Sequence, residues 1–183
     1  MAIKKGKVYL SLGHTIYKNG NISSADGVVN EYKYNKSLIK KVAKNLRAKG
    51  VDLDVITTPE RKYSTDTQEL EYKVNKEHAK KYICGIELHL NCYDKKARGA
   101  ETLHHSSSKE GKKLATCIQK QLAKKYTDRG VKTNDKLYML RHTRCPFVIV
   151  EPFFCDNRAD CKVCNMDQLA KLISDGIYDY LDN

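Results

Sequence analysis

The apolar residues of this chain switch between two spacings in a regular order, and that alternation limits the fold more than any other feature. Over residues 7–13, Val8, Leu10 and Leu12 alternate with polar or mixed neighbours, the period of a strand. Asn19-Gly20 marks a turn. Val28, Tyr32, Ile39, Val42 and Leu46 then recur at helical spacing until Gly50 supplies a stop. Val51, Leu53 and Val55 predict a second strand over 51–56. Asp66 with Glu69 three residues on has the form of a capping box, predicting a helix to about Tyr82. A third strand is expected over 84–90, with Ile86, Leu88 and Leu90 on one face, and a short fourth over 99–105. Ser107 with Glu110 opens a helix whose buried stripe is Leu114, Ile118 and Leu122. Strands at 137–141 and 147–151 complete the set. Leu169, Leu172, Ile173, Gly176, Ile177 and Tyr180 predict a closing helix. Strands interleaved with helices predict an α/β fold: one domain on a twisted, mostly parallel six-stranded sheet with helices on both faces.

The chain has 183 residues, enough for one domain with a real core, and no repeat or Pro/Gly/Ser-rich linker divides it. No long apolar run predicts a membrane span. The N-terminus is basic, but the apolar stretch Val8 to Leu12 is too short for a signal-peptide core and no small-residue cleavage site follows. The expected product therefore stays in the cytoplasm unless something else releases it. Seven cysteines without a secretion signal read as reduced thiols rather than a disulfide framework. The formal net charge of +12 points to an anionic partner, either nucleic acid or the acidic polymers of a cell wall. Lysine outnumbers arginine, which argues against base reading, where arginine forks do most of the work.

Ligands of such sheets gather at the carboxyl ends of strands. His14 sits just past the first strand, His89 near the end of the third, and Glu151 closes the last; Glu31 adds a carboxylate in the first turns of the helix after His14. Two histidines and one carboxylate suit tetrahedral Zn²⁺ with a fourth position open, and a further carboxylate is then needed as general base. From spacing alone, a histidine at a strand end is more often a satisfied structural residue than a ligand. Glu151 stands out because it follows Phe147-Val148-Ile149-Val150, a run suited to a strand buried on both faces, where a carboxylate needs a partner.

Four blocks carry a resemblance. They are Leu12-Gly13-His14, Ala25-Asp26-Gly27-Val28-Val29-Asn30-Glu31, Ile86-Glu87-Leu88-His89-Leu90-Asn91, and Cys145-Pro146 through Val150-Glu151 followed by Phe153-Phe154-Cys155-Asp156-Asn157 and Asp160. In this order they resemble the zinc N-acetylmuramoyl-L-alanine amidases of the amidase-3 family, especially catalytic domains of phage endolysins against Gram-positive bacteria. The likeness runs over residues 7–181. It implies one Zn²⁺ held by His14, Glu31 and His89, with Glu151 as general base and then acid. The implied substrate is the amide between N-acetylmuramic acid and L-alanine in peptidoglycan. It also implies anionic wall polymers as partners, rather than nucleic acid, and release from the host cytoplasm by a holin. Asn91 and His142 are expected to touch substrate, His142 because it lies on a loop at a strand end. Residues 1–183 are read as one catalytic domain, to which a C-terminal wall-binding domain would be additional. Two positions depart from the family: Thr57-Thr58-Pro59 replaces a Thr-Arg pair, and Lys73 stands near a usual arginine. Neither is expected to touch the zinc site, so both bear on local packing.

Other groups have plainer readings. His104 and His105 should face opposite sides of a strand. Cys155, Cys161 and Cys164, with Cys145, have some of the look of a zinc cluster, but one C-x₂-C is thin ground for it. Cys92 beside His89 is a conceivable nucleophile. A host autolytic or sporulation amidase, or a non-catalytic basic binding module on the same fold, are the rival functions; an intact Glu151 discriminates against the binder.

Overall fold

The computed structural model describes residues 4–182. Its strands are β1 (Lys7–Leu12), β2 (Leu53–Ile56), β3 (Tyr82–Leu88), β4 (Ala100–His104), β5 (Asp128–Thr133) and β6 (Phe147–Glu151). Its helices are α1 (Glu31–Ala48), α2 (Asp66–His78), α3 (Lys109–Leu122), α4 (Tyr138–His142), α5 (Arg158–Val163) and α6 (Met166–Asp182). The six strands form one sheet in the order β2-β1-β3-β6-β4-β5. Every neighbouring pair is parallel except β4 with β6. The expected α/β, mostly parallel sheet is thus present.

Strand alternation divides the core between two faces. Val8, Leu10 and Leu12 of β1 point to one side, with Ile86 and Leu88 of β3, and are covered by α1, α3 and α6. Tyr9 points to the other side, where Val74, Tyr82, Met139, Leu140, Phe147 and Ile149 gather under α2 and α4. The central strands are therefore buried on both faces, as their continuous apolar runs require. Helix starts are set by short polar side chains: Asn30 caps α1 by accepting from the Lys33 amide, and Asn157 caps α5 by accepting from Ala159 and Asp160.

Residues 137–141, expected as a strand, are instead helical. Leu137 leads into α4, and Met139 and Leu140 are buried. The fifth strand is β5, which comes earlier in the chain, an edge strand that is half-exposed to exposed throughout. Its run Asp-Arg-Gly-Val-Lys-Thr shows no apolar alternation because only Val131 packs against the core. Capping registers also differ by one: Thr65 caps α2 by accepting from Gln68, and Ser108, not Ser107, caps α3. Helix α2 ends at His78, and Tyr82 already begins β3.

Strand order does the positioning. β1, β3 and β6 are adjacent and parallel, with Leu12 opposite Leu88 and Leu88 opposite Val150. His14, His89 and Glu151 therefore leave the same edge of the sheet side by side.

Candidate active site

Each proposed ligand is held by a different device. His14 follows β1 with a φ of 67°, a left-handed conformation that a non-glycine residue keeps only when its surroundings impose it. Glu31 is the first residue of α1 and is buried. Its Oε1 accepts from the Leu90 amide at 2.9 Å, and Oε2 from the Ala25 amide at 3.2 Å. His89 comes directly after β3, its amide donating to Val150 O at 3.0 Å. Nε2 of His14 and Nδ1 of His89 each lie 3.1 Å from Oε1 of Glu31. The two rings meet edge-on, 4.7 Å apart at 78°. The three ligand atoms lie within 4.8 Å of one another, the one such His/Cys/Asp/Glu group found among the described residues.

Two imidazoles and a carboxylate converging in this way fit zinc. The outer ring nitrogens also have partners, as ligating histidines usually do. Nε2 of His89 lies 3.0 Å from Glu87 Oε1, and Nδ1 of His14 3.3 Å from Ser23 Oγ. Glu151 ends β6 beside them, and its Oε2 is buried with no hydrogen-bond partner. A buried, unpaired carboxylate oxygen is costly unless it has chemistry to do.

Charge follows from this crowding. Burial opposes ionisation of Glu31, but hydrogen bonds from His14 and His89 outweigh it and hold the carboxyl well below the usual range. Burial works against the His89 cation too, yet Glu31 and Glu87 raise its pKa to about 10. Glu151 moves the other way: burial, with the charges of Glu31, Glu101 and Glu87, lifts it to about 8 against the opposing pull of His89. Beside these groups lies a cavity of about 260 Å³, walled by Leu70, Leu137, Tyr138, Met139 and Ile149. The segment misread as a strand is therefore one wall of the site.

The other sequence candidates fall around this centre. Asn91 donates from its side chain to Glu101 Oε1 at 2.8 Å, and its backbone ties the end of β3 to Phe153 and Cys155. His142 ends α4 with its ring against Tyr138, centroids 4.2 Å apart. Neither lines the cavity, although Tyr138 does. His104 is buried and His105 half-exposed, as alternation requires. Cys161 points its thiol toward the carbonyls of Phe154 and Cys155, while Cys164 meets Tyr34 and Tyr126, so these thiols serve packing. Burial and Asp156 raise the pKa of the exposed Cys92, the reverse of what a thiolate nucleophile needs.

Sequence reading missed Glu69, Glu87 and Ser23 as site residues, and it assigned Lys73 to local packing. The structure buries Lys73 completely, with Nζ 2.9 Å from Glu87 and 3.1 Å from Glu69. Lys73 thus stands one side chain away from His89. The available signal was a glutamate in the middle of the apolar run Tyr82–Leu88, which needs a buried cation.

A mostly parallel sheet that gathers a His-Glu-His group able to hold a metal, with a further carboxyl beside it, defines a class: α/β domains with a candidate metal site at the sheet edge. The chain belongs within it to the N-acetylmuramoyl-L-alanine amidase family, Amidase_3, whose sequence profile matches residues 8–183. The N-acetylmuramoyl-L-alanine amidase LytC of Bacillus subtilis strain 168 is 30% identical over 183 residues, covering 94% of this chain and 35% of LytC. A 38.4 kDa protein of Clostridium perfringens is also 30% identical, with 50% of its length covered. The chain thus spans half or less of these relatives. The solved catalytic domain of the CD27L endolysin, which targets Clostridia difficile, superposes with a TM-score of 0.91 at 38% identity, covering 96% of this chain and 98% of that one. The catalytic domain of the amidase CwlV from Bacillus (Paenibacillus) polymyxa shares the fold, with a TM-score of 0.80 at 24% identity and coverage of 97% and 99%.

Proposed function

We propose that this domain is a zinc-dependent N-acetylmuramoyl-L-alanine amidase of the endolysin kind, cutting peptidoglycan between the lactyl group of N-acetylmuramic acid and L-alanine. The observation that carries the reading is Glu151, a half-buried carboxyl whose enclosed Oε2 has no partner, beside three convergent candidate ligands. His14, Glu31 and His89 would hold the metal. Zinc bound there supplies Lewis-acid polarisation of the scissile carbonyl and eases deprotonation of water.

The chain's own groups supply the rest. Glu151 takes the proton from the attacking water and hands it to the departing L-alanine nitrogen, so that each turnover returns it to its carboxylate form. The apolar wall of Leu70, Met139 and Ile149 limits bulk water around the reacting atoms. Leu137 and Tyr138 are placed to pack on the substrate. Similarity to a solved endolysin domain supports the phage assignment, with synthesis in the host cytoplasm and release by a holin. The charge of +12 would then hold the enzyme on anionic wall polymers.

The test is Glu151→Gln, nearly isosteric and unable to accept the proton. Turnover should fall by roughly 10²–10⁴-fold while bound zinc and melting temperature stay put. Wall clearing near the wild-type rate would remove Glu151 from the mechanism. Another residue would then have to move the proton, whereas a folded wild-type chain that binds walls without cutting them would favour the rival binding module.

A further inference from the structure

Behind the two ligand histidines lies a buried polar network joined at Lys73. Its ammonium, fully buried, touches two carboxylates: Glu87 Oε2 at 2.9 Å and Glu69 Oε1 at 3.1 Å. Each carboxylate turns its other oxygen toward a different histidine. Glu87 Oε1 lies 3.0 Å from Nε2 of His89. Glu69 Oε2 accepts from Ser23 Oγ at 3.1 Å, and Ser23 Oγ lies 3.3 Å from Nδ1 of His14.

Counting protons settles the direction of both arms. A serine hydroxyl has one proton and two lone pairs. The Thr15 amide donates to Ser23 Oγ at 3.1 Å and fills one lone pair. The carboxylate of Glu69 is a nearer and stronger acceptor for the hydroxyl proton than Thr15 O at 3.4 Å. The second lone pair is then left for His14, whose Nδ1 must carry the hydrogen. Glu87 offers only acceptors, with Oε2 engaged by Lys73 and by Ser11 Oγ at 2.9 Å, so Nε2 of His89 must carry its hydrogen. With the outer nitrogens carrying those hydrogens, Nε2 of His14 and Nδ1 of His89, the two that face Glu31 Oε1, are the positions that would give up their hydrogens and offer lone pairs when a metal binds.

We propose that Lys73 is the common anchor of a positioning network that sets the tautomers of both ligand histidines in opposite senses, through Glu87 to His89 and through Glu69 and Ser23 to His14. The proposal rests on the reading of His14, Glu31 and His89 as metal ligands. Lys73 borders the same cavity as His14, His89 and Glu151 but is no metal ligand in this scheme. It holds two carboxylates in place, and they in turn hold the rings.

The experiment measures zinc dissociation constants by chelator competition at one pH, on protein whose folding is checked by circular dichroism. Glu87→Gln and Lys73→Met should each weaken zinc binding by about 10–100-fold, in the range found for such outer partners. Ser23→Ala should weaken it through His14 alone. Lys73→Met added to Glu87→Gln should cost less than the same change in the wild type, because one arm has already been cut. Unchanged zinc affinity in folded Glu87→Gln and Lys73→Met would overturn the proposal and leave Lys73 a purely structural cation. If those variants do not fold, ¹⁵N-histidine spectra of the zinc-loaded wild type decide. Protons on Nδ1 of His14 and Nε2 of His89 are expected, and any other pair of tautomers refutes the network. A wild-type chain that binds no stoichiometric zinc would instead sink the metal reading itself.

Discussion

Replacing Gly13 with alanine should damage the proposed metal site as well as the fold. The added Cβ would lie 2.5 Å from both Cε1 and Nε2 of the His89 ring and 2.8 Å from Nδ1. Ordinary contact between such atoms is about 3.5 Å, so roughly 1 Å must be found. The backbone cannot easily supply it, because the Gly13 amide is bonded to Leu88 O at 3.0 Å in the β1–β3 ladder. The ring must turn instead, and it is held by Glu31 and Glu87. Gly13 lies outside the left-handed region, so the effect is steric contact rather than backbone strain. A displacement of that size at a catalytic group costs on the order of 10²-fold in rate. Zinc affinity should fall about 10–100-fold, equivalent to about 1.4–2.8 kcal/mol. Global stability should fall by about 1–3 kcal/mol at most, the usual cost of one extra methyl. Gly50→Ala is the control: Gly50 has a φ of 78° with nothing within 4 Å of a built Cβ. It should lose about 1–2 kcal/mol of stability through left-handed strain and no zinc affinity. Chelator competition and thermal melts on both variants make the comparison. Wild-type zinc affinity in Gly13→Ala would refute the reasoning, since it would mean that the ring is not confined.

Two further outcomes follow from charge. Asp54 accepts hydrogen bonds from Lys80, Tyr82 and Lys7, which overcome burial and hold its carboxyl at about 2, below its ordinary 3.8. A depressed carboxylate stabilises the fold above its unfolded pKa and loses that contribution as pH falls through the folded one. Asp54→Asn should therefore cost about 1–2 kcal/mol at neutral pH, after allowance for partial solvent screening. The gap in urea unfolding should narrow as pH drops from about 4 toward 2, and a constant gap would contradict the assignment. Lysis of intact walls should weaken steeply with salt, because exposed charges are screened beyond about 8 Å at physiological ionic strength. Hydrolysis of a small soluble muropeptide should barely change, and equal sensitivity of both substrates would remove the wall-attraction reading.

How much of this was legible in the sequence depended on burial. Strands β1, β3 and β6 are central, and their apolar residues announced them. The edge strand β5 is half-exposed to exposed and carried no pattern, while residues 137–141, expected as a strand, form the start of α4, where Leu137, Tyr138 and Met139 line the candidate cavity. Helix caps slipped by one residue because adjacent Thr65 and Asp66, and adjacent Ser107 and Ser108, can serve equally until backbone geometry chooses. His14, Glu31, His89 and Glu151 were legible through the motifs that carry the family resemblance. Glu69, Glu87 and Lys73 were not, since their meaning lies in contacts between α2 and β3 that spacing does not encode. Even so, Glu69 and Lys73 at i and i+4, set against a glutamate in an apolar strand, now read as a buried ion network.

The bond broken tests the central claim most directly. Peptidoglycan digested by the zinc-loaded chain should gain free α-amino groups on L-alanine and release intact stem peptides from uncut glycan. A glycosidase would need two carboxylates flanking a glycosidic oxygen and would have no use for His14 or His89. Mass spectrometry and end-group analysis of the digest should therefore find L-alanine as the new amino terminus, without new reducing sugars. New reducing ends, or new amino termini on any other residue, would contradict the assignment of this site to the muramoyl–L-alanine amide.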